Sequence, residues 1–442
     1  MTMLDTDAIA APAPAPKKAP WHDLFERLLA ELDGHSVPSP VRSPHRGGRT
    51  ETATHDLSVG EVPRVARDER RHLPLADSAK GRESETAFLD PAIYRDPAHF
   101  ARERERLFLG LPICLGHIDQ LAPGSVLARE VCGVPLLIAR ARDGEAHVLL
   151  NVCRHRGARV LPEQETVCQR QSLACPYHNW TYRLDGSLAG IPRAEAFPGI
   201  DKTKLGLRAL PSAVRHGLIF AVLDPAAASF DLAHYLGGLD QDLEAIGMGR
   251  HRFYRQHAVK RATNWKLIVD AFLEVYHVTR LHAGTIGPFF CDSVSAGEPV
   301  GRHLRYLVAR ETTDEIRTLP AERWSPQRHA TMVHLVFPNS VIVYHPDYIS
   351  HLGLFPTAAD ETLFVHTMLT PEKPADEKAE THWQRSFELM DTGVFNGEDL
   401  ATCEQIQRGL SSGANDRLIL GRLERNLRWF HGMVEKTTEA DC

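Results

Sequence analysis

Two short stretches constrain this chain of 442 residues more than anything else in it. The first reads Asn151-Val-Cys153-Arg-His155-Arg-Gly157, the second Cys175-Pro-Tyr-His178-Asn-Trp180. Each offers one thiolate and one imidazole on a tight turn, beside a Gly or a Pro. They are two loops, and the sequence around them is rich in strand signals. Val126–Glu130, Val134–Arg140 and Ala146–Leu150 are short apolar, β-rich runs divided by Gly and Asp, and Gly217–Val222 is another. Residues 112–224 therefore read as a small all-β domain.

What the cysteines can do depends on where the chain resides. Its first residues, MTMLDTDAIAAPAPAPKKAP, place acids where a signal peptide needs basic groups, and lack an apolar h-region. No apolar run approaches the roughly 18 residues of a membrane span. A cytoplasmic location without membrane partners is expected, and there the eight cysteines read as thiols or metal ligands, not a disulfide framework. A net charge of −6 argues against nucleic acid as the main partner, since phosphate binding needs a basic face.

Two chemistries compete for the Cys/His loops. A zinc ion would take all four ligands at one point. A Rieske [2Fe-2S] cluster would take two thiolates on one iron and two imidazoles on the other. Its potential then lies above that of an all-cysteine ferredoxin, because neutral ligands replace charged ones. Cys168 lies between the pairs and reads as a bystander thiol.

A second constellation follows in Asn264-Trp-Lys266-Leu-Ile-Val-Asp270-Ala271-Phe-Leu-Glu274-Val-Tyr-His277-Val-Thr-Arg-Leu-His282. Glu274 and His277, three apart, are expected to share a helix face. His277 and His282, five apart, would point about 140° from one another on an unbroken helix. To bind one ion they need the helix to loosen or end between them, and Gly284 is consistent with an end nearby. Taken alone, such a pair in a chain with 24 histidines reads as structural before it reads as metal-binding.

Together the two constellations resemble the alpha subunits of the Rieske ring-hydroxylating oxygenases, over residues 88–434. The loop between the Cys/His pairs is slightly longer than usual for that family. The resemblance implies an α+β chain: a Rieske [2Fe-2S] domain over 112–224, and over 225–434 a catalytic domain with an antiparallel sheet and helices of the helix-grip, START-like kind. It implies that Cys153, His155, Cys175 and His178 hold the cluster. His277 and His282 would bind a mononuclear Fe(II), with a carboxylate from Asn396-Gly-Glu398-Asp399-Leu-Ala-Thr-Cys403-Glu404 completing the set; that ligand is assigned to Asp399, with Glu398 the first competitor. Glu274 matches the carboxylate that links the iron site to a Rieske histidine of a neighbouring subunit, with His178 as its counterpart. That position is commonly Asp; Glu also occurs in the branch that oxidises quaternary amines. Ala271 stands where Asn is frequent.

The activity so implied is that of a terminal oxygenase. Electrons from NAD(P)H would arrive through a separate flavin reductase or ferredoxin, because no Rossmann glycine fingerprint or plant-type Cys-x4-Cys-x2-Cys run is present. O2 would hydroxylate a small aromatic or aromatic-acid substrate, by cis-dihydroxylation or monooxygenation; the alternative is a monooxygenase of a quaternary amine such as a betaine or carnitine. A Rieske electron carrier without oxygenase activity would leave the second constellation unexplained. An electron path between chains implies a homotrimer, with or without a β subunit. Phe272, Phe289, Phe290, Phe337 and Tyr344 could line an arene slot, cage an ammonium group or be plain core.

The remainder is organisational. Residues 1–85 read as a largely flexible extension with a Pro/Ala spacer, a Pro/Ser/Gly/Arg-rich stretch from His35 to Thr54, and one amphipathic helix carrying Trp21, Leu24, Phe25, Leu28, Leu29 and Leu32. Residues 86–111 read as a helix packing on the catalytic domain. Further on, strands are expected at Met332–Phe337, Val341–His345 and Leu363–Thr370, and helices at Glu380–Met390 and Arg417–Val434.

Overall fold

The computed structural model describes residues 19–34 and 86–439; the Pro/Ala spacer and the stretch His35–Thr54 lie outside them. The amphipathic helix forms as α1, His22–Gly34, and buries Leu24, Phe25 and Leu28. Next along the chain, the segment expected as one helix from Asp90 to Leu109 is divided. Pro91 and Pro97 each open a new turn capped by the preceding Asp, because the residue before a proline is pushed out of the helical region. The result is a 3-10 turn Pro91–Tyr94, helix α2, Pro97–Glu103, and a π-helical continuation Arg104–Leu109.

The largest element is a seven-stranded antiparallel sheet. Its strands are β1 Arg252–Arg261, β2 Phe290–Val300, β3 His303–Arg310, β4 Ala330–Val336, β5 Ser340–Tyr344, β6 Ile349–Ala358 and β7 Glu361–Thr370, ordered β1-β7-β6-β5-β4-β3-β2. Strands β4 and β5 are buried at every residue, since both faces of the sheet are covered. Alternate side chains serve the two faces. Leu304, Tyr306 and Val308 of β3, with Val341 and Val343 of β5, pack against the helices of the catalytic side. Leu307, Ala309, Ile342 and Tyr344 face the other way, onto α1. Each fully buried Leu or Phe of α1 contributes about 1.5–3 kcal/mol to holding it there. The helix thus docks on its own chain.

Helices α3, Trp265–Leu273, α4, Val278–Leu281, α5, Glu377–Glu388, α6, Leu400–Ser411, and α7, Arg425–Glu439, complete this part. Between α5 and α6 the chain is π-helical over Leu389–Asp399. Gly397 permits this: a Cβ there would lie 2.8 Å from the Thr392 carbonyl oxygen. The expected helix Arg417–Val434 starts only at Arg425. Leu418–Leu420 is instead a strand paired with Ala87–Leu89, where it satisfies the backbone of both segments, and extended Gly421 separates it from α7.

The β-rich part is built from three smaller sheets. Ile113–His117 and Leu218–Ala221, near the two ends of the segment, pair with each other. A four-stranded sheet joins Ala146–Leu150, Val134–Arg140, Ser125–Val131 and Gln164–Gln169, the last placing Cys168 opposite Val126. A three-stranded sheet joins Leu173–Ala174, Thr181–Tyr182 and Leu188–Gly190.

One buried ion pair anchors α3. The Glu103 carboxylate accepts from Trp265 Nε1 at 2.9 Å and pairs with Lys266 Nζ, all but sealed from solvent. Burial lowers the lysine pKa and the glutamate opposes this. Glu103→Ala should cost about 3–5 kcal/mol in denaturant unfolding, because it leaves a buried ammonium unpaired.

Candidate metal centres

Helix α3 starts at its cap Asn264, whose side chain accepts from Lys266 N. It ends at Leu273, and Glu274 is extended (φ −133°, ψ 166°). The expectation that Glu274 and His277 share a helix face is therefore corrected. The glutamate side chain is the reason: Glu274 Oε2 accepts from the backbone N–H of Tyr276 and of His277, so it caps a new turn instead of prolonging the old one. That turn leads into α4, with His277 at its N-cap and His282 at its C-cap. The break comes ahead of both histidines, and their rings sit 5.1 Å apart at 76°.

Asp399, reached through the π-helix, closes the set. Its Oδ1 lies 3.1 Å from His282 Nε2 and 3.6 Å from His277 Nε2. The ligand atoms of His277, His282 and Asp399 all fall within 4.8 Å of one another. Asp399 is 4 % exposed, and its Oδ1 has no hydrogen-bond partner among the described residues. A buried carboxylate oxygen without a donor, facing two imidazole nitrogens, suits a cation. Two histidines and one carboxylate on one side of a site, with further positions open, is the donor set of non-haem Fe(II) oxygenases.

The outer nitrogens of both rings are also held. His277 Nδ1 meets Glu274 Oε1, and His282 Nδ1 meets Glu398 Oε2 at 2.6 Å. Glu398 also accepts from Thr285 Oγ1 at 2.8 Å. Each Nδ1 thus bonds to a carboxylate and each Nε2 is turned inward, which fixes the orientation a metal ligand needs. Burial works to lower the His282 pKa, but the Asp399 and Glu398 carboxylates outweigh it and raise the value above the ordinary one. Glu398, the sequence's other choice for third ligand, stands behind His282. Glu404 accepts from Ala262 N and pairs with Arg261.

The Cys/His loops are built alike. Cys153 O accepts from Gly157 N, and Cys175 O from Asn179 N, both at 2.9 Å. Both turns end on a left-handed residue, Gly157 (φ 77°) and Asn179 (φ 58°). The two thiols are buried, whereas His155 is half-buried and His178 exposed. The two imidazoles adjoin at 4.7 Å, and Trp180 stacks on His155 at 4.9 Å. These four residues do not gather at a single point. Among the described residues only His277, His282 and Asp399 form a group tight enough for one ion.

Sequence reasoning missed two supporting residues. Tyr182 Oη lies 3.2 Å from Cys153 Sγ and accepts from Arg154 N at 3.0 Å; its signal is an aromatic two residues past Trp180 in the returning strand. Glu398 was legible as an acid, but its place behind His282 was not. Of the five aromatics, Phe337 is packed near Phe430, Tyr344 lies on the far face of the sheet, and Phe289 is 46 % exposed. Phe272, beside Phe395 at 5.4 Å, and Phe290 stay near the iron loop.

Residues 112–210 match the Rieske [2Fe-2S] domain, and residues 248–440 match the ring hydroxylating alpha subunit, catalytic domain. The chain belongs to the Rieske non-haem iron oxygenase alpha subunits. It is similar to the carnitine monooxygenase oxygenase subunit of Escherichia coli (strain K12), 28% identical over 330 residues, 72% of this chain and 83% of that one. It is also similar to the biphenyl 2,3-dioxygenase subunit alpha of Rhodococcus jostii (strain RHA1), 32% identical over 238 residues, 52% of this chain and 50% of that one. In fold it resembles a quaternary ammonium Rieske monooxygenase solved with L-carnitine (TM-score 0.67, 22% identity, 80% of this chain and 96% of that one). Naphthalene 1,2-dioxygenase from Rhodococcus sp. gives the same score at 23% identity, covering 80% of this chain and 95% of that one. The family is one of oxygenase subunits in multicomponent systems, which implies a reductase partner. No helix among the chain's described residues is long and apolar enough to cross a membrane.

Asp399→Ala should abolish mononuclear iron binding, read by metal analysis, while the visible absorption of the Rieske cluster persists. Glu398→Ala should keep a binding site whose iron affinity falls about 10–100-fold, since only the orientation of His282 is lost.

Proposed function

We propose that this oxygenase is a monooxygenase of a quaternary ammonium substrate. The observation that carries the reading is the extent of its likeness to carnitine monooxygenase subunits, which runs through 83% of the relative's length, against 50% for the biphenyl dioxygenase subunit. The aromatic substrate expected first from the sequence takes second place on that ground. Glu274 agrees with the same branch.

When bound, the cluster and the iron supply the electrons and the activation of O2. The protein's own part is positional. Cys153, His155, Cys175 and His178 hold the cluster, and His277, His282 and Asp399 hold the iron. Glu274 keeps His277 in place and offers its carboxylate toward the His178 edge of a neighbouring subunit, which makes a homotrimer the assembly we favour. Phe272 and Phe395 stand on the two segments that bear the iron ligands, and Phe364 lies 6.3 Å beyond Phe395. Of these, Phe272 keeps accessible surface, and its ring suits a trimethylammonium group through cation–π attraction. One atom of O2 enters a C–H bond beside the ammonium nitrogen, and the other leaves as water after taking two electrons and two protons. The resulting hydroxyl loses its proton as the C=O forms, and the C–N bond breaks with its electron pair leaving on the amine.

Chemically reduced enzyme, given one turnover with O2, should release an amine and a carbonyl product from a betaine-type substrate. Products carrying both oxygen atoms on an arene ring would overturn the reading. Glu274→Gln should retain cluster and iron yet slow cluster oxidation in that turnover about 10–100-fold. An unchanged rate would remove Glu274 from the electron path.

A further inference from the structure

Strand β3 carries one side chain whose chemistry the reaction so far leaves unused. Leu304, Tyr306, Val308 and Arg310 alternate onto the catalytic face of the sheet, and the first three pack there with α3. Tyr306 Oη donates to the Phe272 carbonyl, beside Glu274. Arg310 lies four residues along, about 13 Å at strand rise, directly opposite Phe290 in the ladder. Phe290 follows the iron loop, whose end is tied by Gly287 N to the His282 carbonyl at 2.8 Å. The segment that runs from Phe272 through the iron loop to Phe290 is thus held to β3 at Tyr306 and at Arg310.

Arg310 is half-buried, and its guanidinium makes no ion pair or hydrogen bond with any described residue; it lies over the Phe290 ring, 5.7 Å from the centroid. The neighbouring carboxylate, Asp347, bonds to His382 Nε2 at 2.6 Å. His345 stacks on Tyr348 at 4.3 Å and bonds to Ser350 Oγ, and supplies no anion. Burial works to lower the arginine pKa, with Tyr348 and Asp347 opposing. A guanidinium removed from bulk water without an anion is costly, and a bound carboxylate offsets that cost with two parallel hydrogen bonds.

We propose that Arg310 binds the carboxylate of the substrate, so that the site takes a zwitterion with its ammonium end toward the iron and its carboxylate toward Arg310. The ammonium end rests on the function proposed above; the carboxylate end does not. The test compares 4-(trimethylammonio)butanoate with its methyl ester, using metal-loaded wild type, Arg310→Gln and Arg310→Lys. Arg310→Gln should raise KM for the acid about thirtyfold and leave that for the ester within about twofold. Iron content and cluster absorption should match wild type in both variants. Arg310→Lys keeps the charge but not the fork, so its KM for the acid should fall between the two, and it decides the matter if the glutamine variant does not load metal. Equal changes for acid and ester, or none, would overturn the proposal. If wild type oxidises neither compound but oxidises an arene carboxylate, the quaternary ammonium reading fails, and the acid-to-ester ratio of that arene judges Arg310. Turnover of uncharged substrates alone would sink both.

Discussion

The iron site depends on two carboxylates that face away from it. Glu274 holds Nδ1 of His277 and Glu398 holds Nδ1 of His282, so both Nε2 atoms turn toward Asp399. Without them each ring could rotate, and its inner nitrogen would have no fixed address. Glu398 and Asp399 are consecutive, and consecutive helical residues diverge by about 100°. That divergence lets one acid reach behind His282 while the next reaches in front of it. One short stretch of chain thereby supplies both a candidate ligand and the brace of another.

The bracing reaches into the scaffold. Glu274 is positioned by the end of α3, whose start is fixed by Glu103 through Trp265 and Lys266. Asp399 is positioned by the π-helix, which packs Met390, Val394 and Phe395 into the core that α3 shares. Both segments rest on one face of a sheet whose other face is covered, in part by α1. Burial on both faces makes the platform stiff, and the close-packed core transmits little motion to the ligands.

Much of this was legible because the chemistry-bearing residues are scarce types at fixed spacings. Cys153, His155, Cys175 and His178 sit on loops whose Gly and Pro announce turns, and β5 and β7 show as apolar runs. The edge strands were harder. β1 carries four Arg or Lys residues and one His, and β2 contains Gly297 and Pro299, so neither has the pattern of a buried strand. The break before Glu274 was hidden because Leu-Glu-Val-Tyr has no helix-stopping residue; a side-chain cap made it, and caps are settled by geometry. The strand at Leu418–Leu420 was lost for a related reason: its partner, Ala87–Leu89, lies more than three hundred residues away. Arg310 carries no local signal, since only the fold shows that its partner is missing.

The Cys/His loops add an asymmetry of their own. Their thiols are buried, while His178 is exposed and His155 half-buried. Thiolates in the interior are shielded from oxidants, and imidazoles at the rim put the electron-passing edge within reach of another molecule. On the acceptor side, Tyr276, next to Glu274 and His277, is also exposed. A path from His178 to Glu274 would thus join two surface points. Water between exposed points would weaken every hydrogen bond on such a path, and a dry contact between two protein surfaces removes it. The proposed assembly therefore does more than bring subunits together: by covering His178 and the Glu274 loop at once, it would join an exposed imidazole and a half-buried carboxylate in one buried connection.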